Sequence, residues 1–550
     1  MRDVMQVRAI AVCAVLPMAA ALALTACDPL GGDSASGTGP RSVSVQIAEP
    51  QHLLPTNTND ADGAQVLAAL FAPLVEYDGE HRPQELAAES IKSADRRVWT
   101  ITLKDGYTFH NGEKVTADSY INAWNYGAYA PNKQSNGYYF AKIAGYADTQ
   151  PTDPDGPGPE PVAEPAAKTL SGLKKVDDRT FRVTLSTPFT EFKAMLGDAA
   201  FYPLPSTAWK EPGVLADGFE DAIVGQGPFK LKGGWRDKSA IEVERFDAYP
   251  GDKPSVDGAA FRIYDNLTKA YEDVRDGNLD VIRTIPAEKV GEAAKDLDGR
   301  AGSAPDSTIQ FLAFPTFLPA FFKGSVRRAI SMAIDRDALV KSIFHGSQKP
   351  ARSFVAPVVT GYRENSCGAA CQFDPAEAKR LYTEAEGPGA LQISYNEDGG
   401  HRAWVEATCA QLVANLGVQC TAVPEQRFGD VLAVVEQRKA VGLFRMGWPM
   451  DYPSMESYLA PLYSTAGSSN YAGYHNARFD SLLNEAMQAP NEGDTVKKYQ
   501  EAEDILARDM PVIPLRFGQN NYGYSARVKG LELDVYGRVN LAKLTVSAAA

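Results

Sequence analysis

The sequence predicts an α/β protein of several lobes with a strand-rich insertion, and three observations support this. Later segments of the chain alternate helix-period and strand-period apolar runs, the pattern of helices packed on a sheet. In the first half, residues 98–103 (VWTITL) and 180–185 (TFRVTL) alternate apolar and polar side chains, as half-buried strands do. The chain has 550 residues, 44% of them hydrophobic and 23% charged, enough for about three or four domain-sized units.

In chain order, residues 42–72 read as a strand, a polar loop and a helix (SVSVQIAEP, then AQVLAALFAP). The strand at 98–103 ends at Lys104-Asp105-Gly106, a hairpin-type turn. Residues 149–168 hold six prolines and cannot form a core element, so a surface excursion is expected there. Residues 227–232 and 241–246 flank a Gly-Gly turn and predict a β-ribbon. Val326, Ile330, Ala333 and Ile334 mark one helical face, and Asp335 can cap a continuation carrying Leu339 and Ile343. Asp374, Pro375 and Glu377 stand at N-cap, N1 and N3 of a further helix. Residues 392–395 and 418–423 read as strands flanking a helix at 401–416, which Gly417 stops.

The N-terminus reads as an address. Arg2 and Arg8 precede an apolar run at residues 9–23, shorter than the ~20 residues a membrane-spanning helix needs and suited to a secretory signal. It ends in Leu24-Thr25-Ala26-Cys27, which resembles a bacterial lipobox. Residues 1–26 are therefore expected to be a signal peptide and Cys27 the lipidated first residue of the mature chain. Residues 27–41, rich in Gly and Ser, then form a flexible tether. The expected location is the outer face of the cytoplasmic membrane, with the lipid as the only membrane contact. Cys13 falls inside the signal. The remaining cysteines form two local pairs, Cys367 with Cys371 and Cys409 with Cys420, as expected for disulfides in an oxidising compartment. A zinc site at Cys367 and Cys371 is the alternative there, but no His lies nearby.

Charge and motifs exclude several functions. Asp and Glu number 69 against 55 Lys and Arg, a net charge of −14 that argues against a nucleic-acid partner. No two of His52, His81, His110, His345, His401 and His475 lie within a helical turn, so no helical metal pair exists, and no metal or cofactor is expected. Neither a G-x-S-x-G elbow nor a G-x-x-x-x-G-K-[ST] phosphate loop is present, and Gly225-Gln226-Gly227-Pro228 reads as a turn. Acid pairs such as Asp335 and Asp337 are explained by helix capping. Nothing in the sequence makes a catalytic centre.

Six stretches carry a resemblance that spans about residues 50–540. They are residues 70–74 (LFAPL) through 87–90 (AAES), 98–115 (VWTITLKDGYTFHNGEKV), 224–249, 326–337 (VRRAISMAIDRD), 374–381, and Gly447-Trp448 with Asp451-Tyr452, Tyr474-His475-Asn476 and Phe479-Asp480. Together, and in this order, they resemble the extracytoplasmic solute-binding proteins of the oligopeptide/dipeptide/nickel ABC-importer family. The resemblance implies a large two-lobed, periplasmic-binding-protein-like α/β fold with hinge strands and an additional third domain. It divides the chain into lobe I (42–72, 225–308 and 522–550), an extra domain (73–224) and lobe II (309–521). It also implies a monomeric receptor, not an enzyme, that captures short peptides between its lobes and hands them to the importer's permease subunits. A non-peptide solute on the same fold (an oligosaccharide, a metal chelate or an opine-like molecule) is the alternative.

Site residues carry over by position. The resemblance assigns the ligand's α-ammonium to Asp451, three residues after Trp448, and its terminal carboxylate to Arg445, three residues before it. A carboxylate and a guanidinium suit those roles through charge-assisted hydrogen bonds. Tyr395-Asn396 leads to His401, a contact for longer peptides, and Phe428 corresponds to an aromatic lining a side-chain pocket. Gly447 and Trp448 belong to the same wall. Ala61, in an N-terminal loop, matches a position whose backbone pairs with the peptide as an added strand.

Overall fold

The computed structural model describes residues 41–151, 163–236 and 239–547. The export segment, Cys27, the Gly/Ser-rich part of the tether and residues 152–162 of the proline-rich excursion lie outside the described residues.

One mixed sheet of eleven strands runs through the protein. At one end Phe229–Leu231, Ala240–Arg245, Gly258–Ile263, Ser42–Ile47 and Val281–Ile282 lie side by side. At the other end lie Leu443–Trp448, Ala390–Asn396 and Gln419–Glu425. Two antiparallel strands of 13 residues each, Ala301–Ala313 and Val512–Tyr524, join the halves, and Lys349–Pro350 pairs beside them. Their ladder runs from Ala301 opposite Gly523 to Pro305 opposite Gln519, breaks, resumes with Ile309 opposite Phe517 and Gln310 opposite Arg516, and after a one-residue bulge at Leu515 continues from Phe311 opposite Pro514 to Ala313 opposite Val512. In the break the Asp306 carboxylate accepts from the Thr308 N–H (3.1 Å) and hydroxyl (3.3 Å), so local bonds replace the missing ladder bonds.

The apolar clusters divide at the same place. One is drawn almost wholly from residues 43–261 and 528–546, the other from residues 309–517. The first includes the segment expected as the extra domain, whose antiparallel sheet Ala88–Ser93, Val98–Leu103, Thr180–Thr184 and Leu173–Lys175 packs against the helix Ala117–Ala128. Trp124 of that helix is fully buried, edge-on to Phe181 (5.5 Å) and Phe201 (5.2 Å).

Local signals are realised as their chemistry demands. Ser42–Ile47 pairs on both edges and is buried from Val43 onward, and its buried polar side chains are satisfied: the Ser44 hydroxyl donates to Asp280 (3.0 Å) and Gln46 Oε1 accepts from the Arg283 N–H (3.2 Å). The ribbon forms between Phe229–Leu231 and Ala240–Arg245. The helical face at 326–334 becomes two helices, Gly324–Met332 and Arg336–Ile343, with Asp335 accepting from the Ala338 N–H (2.9 Å). Asp374 accepts from the Glu377 N–H (3.0 Å) ahead of Pro375–Glu384. The helix Arg402–Leu416 ends on Gly417 at φ 76°, the left-handed conformation that closes helices. Cys409 of this helix is bonded to Cys420 of the next strand, Cα–Cα 5.1 Å, and Cys367 is bonded to Cys371, Cα–Cα 5.6 Å.

The half containing Arg402–Leu416 creates a crevice. Ala390–Asn396 is parallel to both Gln419–Glu425 and Leu443–Trp448 and lies between them. The chain steps outward through helix Arg402–Leu416, then back across through helix Phe428–Glu436. Right-handed crossovers in opposite directions put those helices on opposite faces of the sheet. The gap opens at the carboxyl ends of Ala390–Asn396 and Leu443–Trp448, the place where open α/β sheets hold ligands.

Candidate functional site

Strand alternation sorts the residues of this crevice into two faces. Leu312 lies opposite Arg445, and Gln310 lies opposite both Gly447 and Arg516, so Arg445, Gly447, Gln310 and Arg516 share one face. Phe444, Met446 and Trp448 project to the other face, where with Phe428, Leu432 and Tyr463 they line a cavity of about 260 Å³.

The first face is basic. Arg445 donates from Nη1 to Asn396 Oδ1 (3.0 Å) and from Nη2 to Gln310 Oε1 (3.0 Å), and its guanidinium lies 5.4 Å from the Phe428 ring centre. Its Nε is buried without a partner. Burial lowers Arg445 to about 10, while Asp398 pulls the other way. Arg516 is 6% exposed, its guanidinium 4.3 Å from the Phe344 ring centre and 4.9 Å from that of Trp404. Burial, then the charge of Arg445, brings Arg516 down to about 9. His401 is buried, and its Nδ1 accepts from Trp404 Nε1 (3.1 Å), which leaves the proton on Nε2. Burial, then Arg445 and Arg516, holds it at about 3, so it is neutral at physiological pH.

The turn after Trp448 is acidic. Asp451 accepts from the Tyr138 hydroxyl at Oδ1 (2.9 Å), and its carbonyl accepts from the hydroxyls of Tyr139 (3.2 Å) and Tyr536 (3.4 Å). The Asp451 N–H donates to Ser457 Oγ (2.6 Å), which fixes the turn. Burial pushes Asp451 up to about 7; the Tyr138 hydrogen bond opposes this, and Asp198 and Glu456 add to it. Asp198, likewise raised to about 6 by burial, accepts from the Tyr139 hydroxyl (3.3 Å). Lys142 pairs with the buried Glu456 (2.7 Å). Tyr138 is 51% exposed and therefore covers Asp451 without belonging to the core.

The structure thus brings Asn396, His401, Phe428, Arg445 and Gly447 together and places Trp448 and Asp451 at the end of the same strand. A side chain at Gly447 would put its Cβ 2.4 Å from Gln310 Nε2, so glycine there keeps Gln310 in reach of Arg445. Trp448 donates from Nε1 to the Ser457 carbonyl (2.7 Å) and is half-buried. Ala61 departs from expectation. It is the first residue of the helix Ala61–Leu70, which Asp60 caps, and not a loop residue. Its carbonyl accepts from Arg283 Nη2 (3.3 Å). Four residues of the site escape a reading of the sequence. Tyr138 and Asp198 come from a segment hundreds of residues from Asp451. Gln310 and Arg516 come from the two long strands, and only Arg516, a cation inside the run VIPLRF, carries a local signal. Among the described residues, no group of three or more His, Cys, Asp or Glu side chains could hold a metal ion.

The family model described as bacterial extracellular solute-binding proteins, family 5 (middle), matches residues 82–470. The oligopeptide-binding protein OppA of Bacillus subtilis is 25% identical over 542 residues, 94% of this chain and 96% of its own. The murein tripeptide-binding protein MppA, in its unliganded open form, superposes with a TM-score of 0.79 at 22% identity, covering 93% of this chain and 99% of MppA. OppA of Haemophilus influenzae, solved in complex with RPPGFSPFR, superposes with a TM-score of 0.69 at 24% identity, covering 92% and 99%. The fold is therefore the two-lobed one of these periplasmic binding proteins.

Proposed function

Because this chain belongs to the bacterial extracellular solute-binding proteins of family 5, we propose that it captures short peptides in its crevice and delivers them to the permease of an ABC importer. One observation carries this reading: the two ends of the crevice have opposite charge. Asp451, with Asp198 beside it, forms an acidic end, while Arg445 and Arg516 form a basic one. A free peptide has an ammonium at one terminus and a carboxylate at the other, and so complements both ends in one orientation only. Extended chains advance about 3.3 Å per residue, so Arg445 and Trp448 lie about 10 Å apart along their strand, within the span of a peptide of two to five residues. Phe428 and Trp448, around a mostly apolar cavity, favour side-chain packing without reading residue identity.

On this reading Asp451 binds the α-ammonium and Arg445 the terminal carboxylate, with His401 and Asn396 serving longer ligands. The two long strands act as the hinge, with closure centred on the ladder break at residues 306–308 and lobe II taken as residues 309–521. The protein acts as a monomer held at the outer face of the cytoplasmic membrane through lipid on Cys27, and it does not hydrolyse its ligand. Mature protein purified gently from its host and opened by denaturation should release a ladder of small masses that sequence as mixed short peptides. A single non-peptide mass (an oligosaccharide, a metal chelate or an opine-like molecule) would overturn the peptide reading.

A further inference from the structure

We propose that Arg516 joins Arg445 in a subsite for a second carboxylate, so that the receptor prefers peptides whose C-terminal residue is itself acidic. This rests on the peptide-receptor reading, and it begins with a surplus of cations. A single terminal carboxylate is satisfied by one guanidinium, and Arg445 already stands at the crevice with its Nη atoms on Asn396 and Gln310. Arg516 is a further guanidinium on the same sheet face, opposite Gln310 in the neighbouring strand. It is 6% exposed and sits in an apolar stretch, yet its Nε is buried with no acceptor among the described residues. The charge acting on it is another cation, Arg445.

The nearby carboxylate, Asp398, does not fill the gap. It accepts from the Asn396 amide and from the Phe428 N–H (3.3 Å), and its pull is felt by Arg445 and His401. His401 is neutral and supplies no negative charge. A buried cation with no anion is costly unless something completes it. The rings of Phe344 and Trp404 lie against the Arg516 guanidinium and hold it, but an aromatic face accepts no in-plane N–H bond. What remains free is the edge of a planar fork, the geometry that grips a carboxylate with two parallel hydrogen bonds. The Nε of Arg445, on the same sheet face, is likewise buried without a partner.

The test uses two tripeptides that differ in one group, Ala-Ala-Glu and Ala-Ala-Gln, titrated calorimetrically into the mature protein near pH 7.5. The proposal expects the Glu peptide to bind at least about tenfold more tightly, the scale of one charge-assisted pair. Arg516→Met should bring the two peptides within about twofold of each other, the Glu peptide losing clearly more affinity than the Gln peptide, and Arg516→Lys should retain part of the preference. Wild-type protein that binds both peptides equally would overturn the proposal and leave the peptide reading intact, and that comparison needs no variant. Loss of both peptides together in Arg516→Met, with an unchanged melting temperature, would also overturn it, since Arg516 would then only brace the site. Failure of wild type to bind either peptide would sink the peptide reading itself.

Discussion

Acidifying the solution from pH 8 to pH 5 should weaken peptide capture about fortyfold, and the size follows from Asp451. In the free protein burial raises this carboxyl to about 7, with Asp198 and Glu456 adding to the shift and the Tyr138 hydroxyl opposing it. A bound ammonium favours the ionised carboxylate and lowers that value, so binding below pH 7 must expel a proton. Affinity is therefore lost as pH falls through the free value, and at pH 8 it is already about twofold below its full value because the ligand's own α-amine, near 7.7–8.0, has begun to lose its proton. With one coupled group, the dissociation constant rises by a factor of about 2 at pH 7, about 11 at pH 6 and about 100 at pH 5, near 1.4 kcal/mol per pH unit at the acid end. The other groups near the ligand do not mask this. His401, at about 3, stays neutral, and Asp198, at about 6, titrates in the same sense. The ligand's own carboxylate, near 3.5, stays ionised. Calorimetry across this range, in buffers of different ionisation enthalpy, reads both quantities. About half a proton should be released per peptide at pH 7, and Asp451→Asn should flatten the profile. A dissociation constant that holds within threefold from pH 8 to pH 5.5, or binding with no proton release, would refute the reasoning.

Three further outcomes are expected. Asp451→Ala should cost about 2–5 kcal/mol of binding, the range for truncating one partner of a desolvated charge pair, and an affinity within threefold of wild type would contradict its role. Gly447→Ala should drive its Cβ into Gln310, pull that amide from Arg445 and weaken peptide binding about tenfold or more with little change in melting temperature; unaltered affinity would contradict the Gln310–Arg445 link. Replacing Cys409 and Cys420 by serine should lower stability to denaturant by about 2–4 kcal/mol, since the bond closes a short loop between a helix and its following strand; an unchanged unfolding midpoint would count against it.

How much of this was legible in the sequence depends on how local each cause is. The caps at Asp335 and Asp374 and the stop at Gly417 were readable because each is satisfied within four residues. The pairing of Cys409 with Cys420 follows from a helix and a strand that are neighbours in sequence as well as in space. The strand Ala301–Ala313 was not readable. It contains Pro305 and a polar step at Asp306-Ser307-Thr308, and its pairing with Val512–Tyr524 spans about two hundred residues. The site divides in the same way. Trp448 and Asp451 lie in one short motif, so motif likeness reaches them. Tyr138 and Asp198, which set the electrostatics of Asp451, arrive from another part of the fold. Ala61 shows the opposite case: likeness placed it in a loop, but Asp60 is a strong N-cap and accepts from the Gly63 N–H (2.7 Å), so Ala61 opens a helix.

The central claim is that one crevice reads both ends of a peptide, and blocking one end tests it most directly. A tripeptide that binds with its amine free should be titrated again as its N-acetyl derivative. The account predicts that acetylation removes at least about 2 kcal/mol, because Asp451 loses its charged partner, and that Asp451→Asn narrows the difference between the two ligands. Equal binding of the free and acetylated peptides to the wild-type protein would contradict it.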